Sequence, residues 1–433
     1  MPIQGTKGAH LLSHIRVVDL SMGWSGPLAA RHLADMGAEV VKVEAIQHLD
    51  WWRGWDLTPE MIESKMYEQS SSFNVMNRNK LGVTLDIASP EGADLVKRLV
   101  RISDVVIENH TASVLPKLGL DYPRLSEVNP GIIMISLPAF GCTGSWRAYR
   151  AYGSTVEQAS GIPHLTGEPQ WPPTMQHVAY GDSVAGINAS SALLIALWHR
   201  QETGEGQYID LSQVECLFPL EAHGIIEQSM NNRAPKRHGN RHPKHVPYGV
   251  FPCLGDDNWV VITITDDEEW QSLCKAMGRP DLAEDTELMK ETKRKGREKE
   301  LESFISGWTS KMEPDEVTYL LQGAGVPAAR VWASSELLEN PQFIERDFFE
   351  WIDRENVGVQ PHPKAPYRVS TGLRGVETPA PCLGEHNEKV LGELLGLTKD
   401  ELAELEAKGV IGRVPVASSA GDSDNTEEIK KKP

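Results

Sequence analysis

Ile15-Arg-Val-Val-Asp-Leu-Ser-Met-Gly-Trp-Ser-Gly-Pro-Leu-Ala-Ala-Arg-His-Leu-Ala-Asp-Met-Gly-Ala-Glu-Val-Val-Lys-Val-Glu44 decides the fold class. Ile15 to Leu20 is a short β-branched run of the kind buried on both faces of a sheet. After the loop Ser21 to Gly26, Pro27 stands where a first helical residue tolerates a missing N–H, and the helix it starts runs to about Met36. Gly37 stops that helix, because glycine enters a left-handed cap at no steric cost. Glu39 to Glu44 is extended again, so strand, loop, helix and strand make a β-α-β unit of the doubly wound parallel kind. Glu44 could grip a ribose, yet the turn offers Gly23-x-x-Gly26-Pro27 in place of G-x-G-x-x-G, which leaves a dinucleotide site poorly supported.

Downstream, the same alternation continues. Asn77-Arg78-Asn79-Lys80 precedes a strand at Val83 to Asp86 and reads either as an anion-contacting loop or as a solvated turn. Ser89-Pro90-Glu91 starts a helix to about Ile102, and Asp104 to Glu108 and Gly131 to Leu137 are two further β-branched runs. The segment Asn109-His110-Thr111-Ala112-Ser113 lies just past a strand's carboxyl end, the edge at which open α/β sheets bind ligands. Trp51, Trp52 and Trp55 around Arg53-Gly54 are read as structural, since clustered indoles more often belong to a core or interface than to a ligand platform. Arg147 and Arg150 place two cations before Tyr152-Gly153.

His177-Val-Ala-Tyr-Gly-Asp-Ser-Val-Ala-Gly186 leads into a long apolar run. Val184, Ile187, Leu194 and Leu197 have the spacing of a helix turning one face inward, which puts Asp182 at its entrance. On local grounds Asp182 is first an N-cap, worth about 1 kcal/mol to the helix. The competing role is a nucleophilic carboxylate served by backbone N–H groups. Thr203-Gly-Glu-Gly-Gln207 then opens a strand to Leu211.

Residues 1–225 are expected to give the first part of a large domain, 234–325 a small α+β domain, 326–416 a return to the large one, and 417–433 a polar tail that cannot pack. The small domain contains the hairpin Tyr248 to Cys253 with Trp259 to Ile264, and charged helices from Asp267 to Gln322. At its start lies a basic segment with Lys236, Arg237, His238, Arg241, His242 and His245, by default a solvated loop and alternatively a lid over an anionic ligand.

Composition narrows the partners. A net charge of −18 over 433 residues argues against nucleic acid or an anionic membrane, which bind through summed positive fields. Five scattered cysteines without a C-x-x-C pair suit reduced cytoplasmic thiols, and none has zinc-ligand spacing, so no metal is expected. No apolar run approaches the roughly 20 residues of a membrane span.

In their joint order the pieces resemble the class III CoA-transferases, the family that includes formyl-CoA transferase, carnitine CoA-transferase, benzylsuccinate CoA-transferase and α-methylacyl-CoA racemase. The resemblance covers Ile15 to Ile411 through Val-Val-Asp-Leu-Ser, Gly-Pro-Leu-Ala, Leu-Ala-Asp-Met-Gly-Ala-Glu-Val-Val-Lys-Val-Glu, Asn-Arg-Asn-Lys, Val-Ile-Glu-Asn, Gly-Asp-Ser-Val-Ala-Gly, Arg-Gln-Glu-Thr-Gly-Glu-Gly-Gln, Pro-Tyr-Gly-Val-Phe-Pro-Cys and Leu-Gly-Glu-His-Asn. It implies a Rossmann-like large domain formed by both chain ends, a small middle domain and an interlocked dimer, homodimeric or paired with a related chain. It also implies a CoA thioester as substrate and no tightly bound cofactor. Carried over by position, Asp182 matches the catalytic aspartate. Asn79, Lys80 and Asn109 match residues lining the CoA site, Lys117 falls where the family has an arginine near the nucleotide phosphates, and Arg150 matches a cationic CoA contact, with Tyr152 beside it. The chain departs from the family at Asn109 to Ser113, where Asn-Phe-Arg-Pro-Gly is usual, and at Ala45, where a CoA-contacting cation is usual.

The chemistry that follows is attack of Asp182 on an acyl-CoA carbonyl, giving a mixed anhydride and then an aspartyl-CoA thioester. Arg147 and the histidine-rich loop are either solvated or placed for a second carboxylate, and the latter would favour a dicarboxylic substrate such as succinate. A racemase would need a His-Asp pair where this chain has Tyr152-Gly153. An NAD-dependent oxidoreductase and a catalytically silent partner subunit complete the alternatives.

Overall fold

The computed structural model describes residues 10–54, 56–176, 178–370 and 375–417. The expected tail lies outside the described residues from position 418 on, as do Trp55 and His177. Six strands, β1 (Arg16–Asp19), β2 (Glu39–Glu44), β3 (Lys80–Thr84), β4 (Val105–Glu108), β5 (Ile133–Ser136) and β6 (Gln207–Asp210), form a wholly parallel sheet in the order β3-β2-β1-β4-β5-β6. The chain winds outward from β1 to β3, then returns to the middle and winds the other way. Strand order therefore reverses between β1 and β4, which opens a crevice at their carboxyl ends.

The strands are apolar because the sheet is covered on both faces. Val17, Val40, Val105, Ile133 and Ile135 point to one side, against Ala29, Ala30 and Leu33 of helix α1 (Ser25–Asp35). Val18, Val41, Val83 and Val106 point to the other, against Leu95 and Leu99 of α2 (Pro90–Arg101) and against Val390, Leu391 and Ile411 of the returning chain. Full burial of each such side chain contributes about 1.5–3 kcal/mol. The chain's two ends are also joined by charge, since Glu68 accepts hydrogen bonds from Arg53 at 2.6 Å and from Arg354 at 2.6 Å.

Two more helices complete the frame of the site, α3 (Gly153–Ser160) and α4 (Tyr180–Thr203), and α5 (Phe218–Asn231) follows β6 in the chain. The buried face of α4 differs from the expected one. It consists of Gly181, Ala185, Gly186, Ala189, Ser190, Leu193, Ala196 and Leu197, while Ile187 is 55% exposed, Ile195 66% and Trp198 69%. The helix is apolar nearly all round, and backbone proximity selects the small-residue face: a Cβ on Gly186 would stand 2.7 Å from the Ser25 carbonyl oxygen and 2.9 Å from Leu28. Large side chains there would hold α4 away from α1.

By contact the described chain divides into two compact units. The first comprises the chain up to Ser160, Gln176–Glu221 and the chain from Glu345 onward; the second comprises Gly161–Met175 and Ala222–Ile344. Within the second, β7 (Tyr248–Pro252), β8 (Trp259–Thr263) and β9 (Ala328–Arg330) form an antiparallel sheet. Ala328–Arg330 thus belongs to the small sheet and not to the return segment.

Candidate active site

The site is built where two helices begin. Ala179, the N-cap residue of α4, sits in the left-handed region at φ 46° and ψ 49° and makes no side-chain cap. For a residue with a Cβ that conformation costs about 1–2 kcal/mol. It turns the chain so that Asp182 falls inside the first helical turn, its N–H meeting the Ala179 carbonyl at 3.0 Å. Asp182 therefore does not cap its own helix. Its carboxylate faces the backbone N–H and the hydroxyl of Ser25, the first residue of α1, and these donors favour its charged form.

Burial pushes the Asp182 carboxyl up to about 6, while both Ser25 bonds pull it down. Desolvation of the charged form outweighs two donors and the positive end of the α1 dipole. A carboxylate so placed is ionised at neutral pH, yet poorly solvated and hence more nucleophilic than one in water. Gly153 leaves it the room, since a Cβ there would lie 1.9 Å from Asp182 Oδ2.

The loop that presents Ser25 is held from below by buried charges. Asp50 accepts from Gly23 N–H at 3.0 Å and pairs with Lys42 at 2.8 Å, and Lys42 also donates to the Ser21 carbonyl. Asn109 grips both sides of the Met22 peptide, accepting its N–H at 2.8 Å and donating to its carbonyl at 2.7 Å. Its Nδ2 also lies 3.3 Å from Ser25 Oγ, and Gln213 Nε2 lies 3.2 Å from the same oxygen.

Beside Met22, a cavity of about 320 Å³ opens at the carboxyl ends of β1 to β4. Leu20, Val43, Ala45, Leu85 and His110 wall it, together with Val114 and Leu118 of a short helix. His110 supplies a ring where the resembling family carries phenylalanine. Its pKa is lowered by burial and its Nε2 meets the Leu20 carbonyl at 3.0 Å, so it serves as a neutral planar wall.

The expected site residues separate into two groups. Asp182 and Asn109 converge on Ser25. Lys117 is exposed next to Leu118 of the cavity wall, and Arg150 is exposed on the segment leading to Tyr152, whose ring meets Trp51 edge-on at 5.3 Å. Asn79 and Lys80, expected to line the CoA site, are engaged in bonds within the fold. Lys80 is 2% exposed and donates to Asp19 at 2.8 Å, Asn77 at 2.9 Å and the Pro27 carbonyl at 3.0 Å, which occupies all three of its protons. Asn79 opens β3 at the sheet's amino edge, where its carboxamide donates to Asp35 and the Gly375 carbonyl and accepts from Glu377 and Thr378 N–H. It fastens the returning chain. The histidine-rich segment, read as a solvated loop or alternatively a lid, is laced within the second unit: Arg241 chelates Glu302 at 2.8 and 2.7 Å, His245 meets Glu291 at 2.6 Å, and Lys295 donates to the His242 carbonyl.

Ser25, Gly153 as a spacer, and Gln213 were not singled out from the sequence. Gln213 follows the carboxyl end of β6, and the edge rule applied to Asn109 would have reached it too.

The family model for CoA-transferase family III matches residues 12–387. The chain belongs to this family. Membership of this family, together with the activity of known relatives, makes it an enzyme that transfers CoA. Succinyl-CoA–D-citramalate CoA-transferase of Chloroflexus aurantiacus is 36% identical over 400 residues, 92% of this chain and 98% of its own. Succinate–glutarate CoA-transferase of Agrobacterium fabrum is 35% identical, over 88% of this chain and 95% of its own. In fold, the crystal structure of a CaiB/BaiF family protein from Brucella suis is similar at a TM-score of 0.81 and 31% identity, covering 89% of this chain and all of that one. Among the described residues, no helix of this family III chain is long and apolar enough to cross a membrane.

Proposed function

We propose that this enzyme moves CoA from succinyl-CoA to a second carboxylic acid by way of covalent adducts on Asp182. The observation that carries the proposal is the Asp182 carboxylate, largely withdrawn from water, facing the N–H and hydroxyl of Ser25 at a helix N-terminus and given space by Gly153. The donor assignment is supported by the two relatives, whose names couple succinate or its CoA ester with another dicarboxylate.

In the proposed cycle Asp182 attacks the thioester carbonyl; the carbon–sulfur bond breaks and CoA leaves as thiolate. The thiolate then attacks the aspartyl carbonyl of the mixed anhydride, forms the aspartyl-CoA thioester and releases succinate. The acceptor carboxylate attacks that thioester and regenerates thiolate and a new anhydride. The thiolate finally takes the acyl group of the acceptor, and Asp182 departs as carboxylate. Each attack on the aspartyl carbonyl puts negative charge on an oxygen beside the Ser25 N–H and hydroxyl, donors already in place for an oxyanion.

The apolar cavity at the switch point suits the adenine, with His110 as a flat neighbour, and Lys117 and Arg150 suit the phosphates. The exposed Ile187, Ile195 and Trp198 of α4, with Ile225, Ile226 and Met230 of α5, leave more apolar surface in water than a lone chain sustains. They support a second subunit in an interlocked dimer, and the unpaired cysteines support a cytoplasmic setting.

The test is acid quenching of enzyme mixed with succinyl-CoA, followed by peptide mass analysis. A CoA adduct on the peptide that contains Asp182, absent from Asp182→Asn, is expected; steady turnover with no such adduct would overturn the mechanism.

A further inference from the structure

Ser25 Oγ is fully buried and has two amide neighbours whose orientations are independently fixed. Gln213, 6% exposed, donates through Nε2 to the Leu137 carbonyl at 2.7 Å. Since only its NH2 side can face a carbonyl oxygen, the second Nε2 proton points at Ser25 Oγ, 3.2 Å away. Asn109 is fixed in the same way: Oδ1 takes the Met22 N–H, Nδ2 gives one proton to the Met22 carbonyl, and the other faces Ser25 Oγ at 3.3 Å. A serine hydroxyl has two lone pairs and one proton. With both lone pairs receiving N–H donors, the proton has one acceptor left, the carboxylate of Asp182.

We infer that Gln213, assisted by Asn109, is a positioning residue that makes the Ser25 hydroxyl an obligate donor to Asp182. The inference rests on Asp182 being the nucleophile and explains how its second donor is kept in one orientation. Without Gln213 the hydroxyl can rotate, and it then donates to Asp182 for only part of the time. The transition states in which an aspartyl oxygen gains charge lose stabilisation, and the resting carboxylate loses it as well.

No other group competes for that role. The titratable side chains on the elements packed against α4 are Arg31, His32 and Asp35 of α1, Glu157 of α3 and Glu215 and Cys216 of the turn before α5, and none of them acts on Asp182, whose environment reduces to burial and Ser25.

The test compares Gln213→Met in the native and Ser25→Ala backgrounds, with Asp182→Asn as a third variant. The expected result is kcat about tenfold lower for Gln213→Met, a smaller change in KM for succinyl-CoA, and an acid limb of kcat/KM moved upward in pH. In the Ser25→Ala background the same substitution should change kcat less than twofold, because the hydroxyl it orients is gone. A merely structural Gln213 would cost the same in both backgrounds and leave the acid limb in place, which overturns the inference while an inactive Asp182→Asn keeps the nucleophile. An active Asp182→Asn would remove both. Should Gln213→Met not fold, Gln213→Asn, too short to reach Leu137 and Ser25 together, takes its place in the same comparison.

Discussion

Gly153 and Asp182 occupy space that no other residue at position 153 would leave open: a methyl group on the glycine would stand 1.9 Å from Asp182 Oδ2 and 2.8 Å from the Ala179 side chain. The glycine's φ is not in the left-handed region, so its requirement is steric. Gly153→Ala is therefore expected to displace the carboxylate from Ser25 and lower kcat by about a hundredfold, the cost of losing oxyanion donors, while KM for the CoA ester changes less. Steady-state kinetics with a circular dichroism check of folding decide it. Activity within threefold of the parent would show that the carboxylate is not where the chemistry happens.

The pH profile should carry the signature of Asp182. Its carboxyl titrates at about 6 because burial penalises the charged form, and the nucleophile is the ionised form. As pH falls below about 6, kcat/KM should drop tenfold per unit; above it the profile should be flat until another group titrates. An acid limb near pH 4 would mean that the carboxylate is solvated in the working enzyme.

Stability should respond with the opposite sign. In the unfolded chain Asp182 titrates near 3.8 and in the folded chain near 6, so folding favours its neutral form. Below the unfolded value there is no penalty; the penalty grows as pH rises and is constant above about 6. The shift corresponds to an upper figure of about 3 kcal/mol. Asp182→Asn, which keeps an acceptor for Ser25 and carries no charge, should therefore melt higher than the parent at pH 7.5, and this advantage should fade toward pH 4. Thermal melts at both pH values test it, and a variant less stable at pH 7.5 would contradict the desolvation account.

What could be read from the sequence follows from which interactions are local. The β-branched runs and Gly37 announce the sheet and the end of α1 because strand burial and a left-handed cap are set by nearby residues. Asp182 is visible as a residue of interest, but its helix start is not: the left-handed Ala179 moves the first turn forward, and nothing about an alanine predicts that. The face of α4 is missed because Ile187 and Trp198 are as apolar as the residues that are buried, and the choice lies in how near α1 comes at Gly186. Ser25 and Gln213 acquire their roles from partners distant in the chain. Lys80 shows the same limit from the other side, since a lysine awaiting a phosphate and a lysine paired with a buried Asp19 are the same letter.

That ambiguity gives the last prediction. Lys80 is wholly within the fold and pairs with Asp19; burial pulls its pKa down to about 8, Asp19 holds it up, and it remains charged at neutral pH. Removing one partner of a buried pair leaves the other charge uncompensated, at a cost of about 3–5 kcal/mol. Lys80→Met should accordingly lower the melting temperature steeply, and the protein that still folds should bind succinyl-CoA with nearly unchanged KM. Lys117 and Arg150 are exposed and should behave in reverse. Lys117→Ala or Arg150→Ala should leave the melt in place and raise KM for the CoA ester about tenfold, the worth of one charge-assisted contact to a phosphate. The increase should be alike for different acyl groups, since those cations would touch the carrier and not the acid it carries. If Lys80→Met instead raises KM in a fully stable protein, the buried pair is not what holds that lysine, and the phosphates lie on the other side of the sheet.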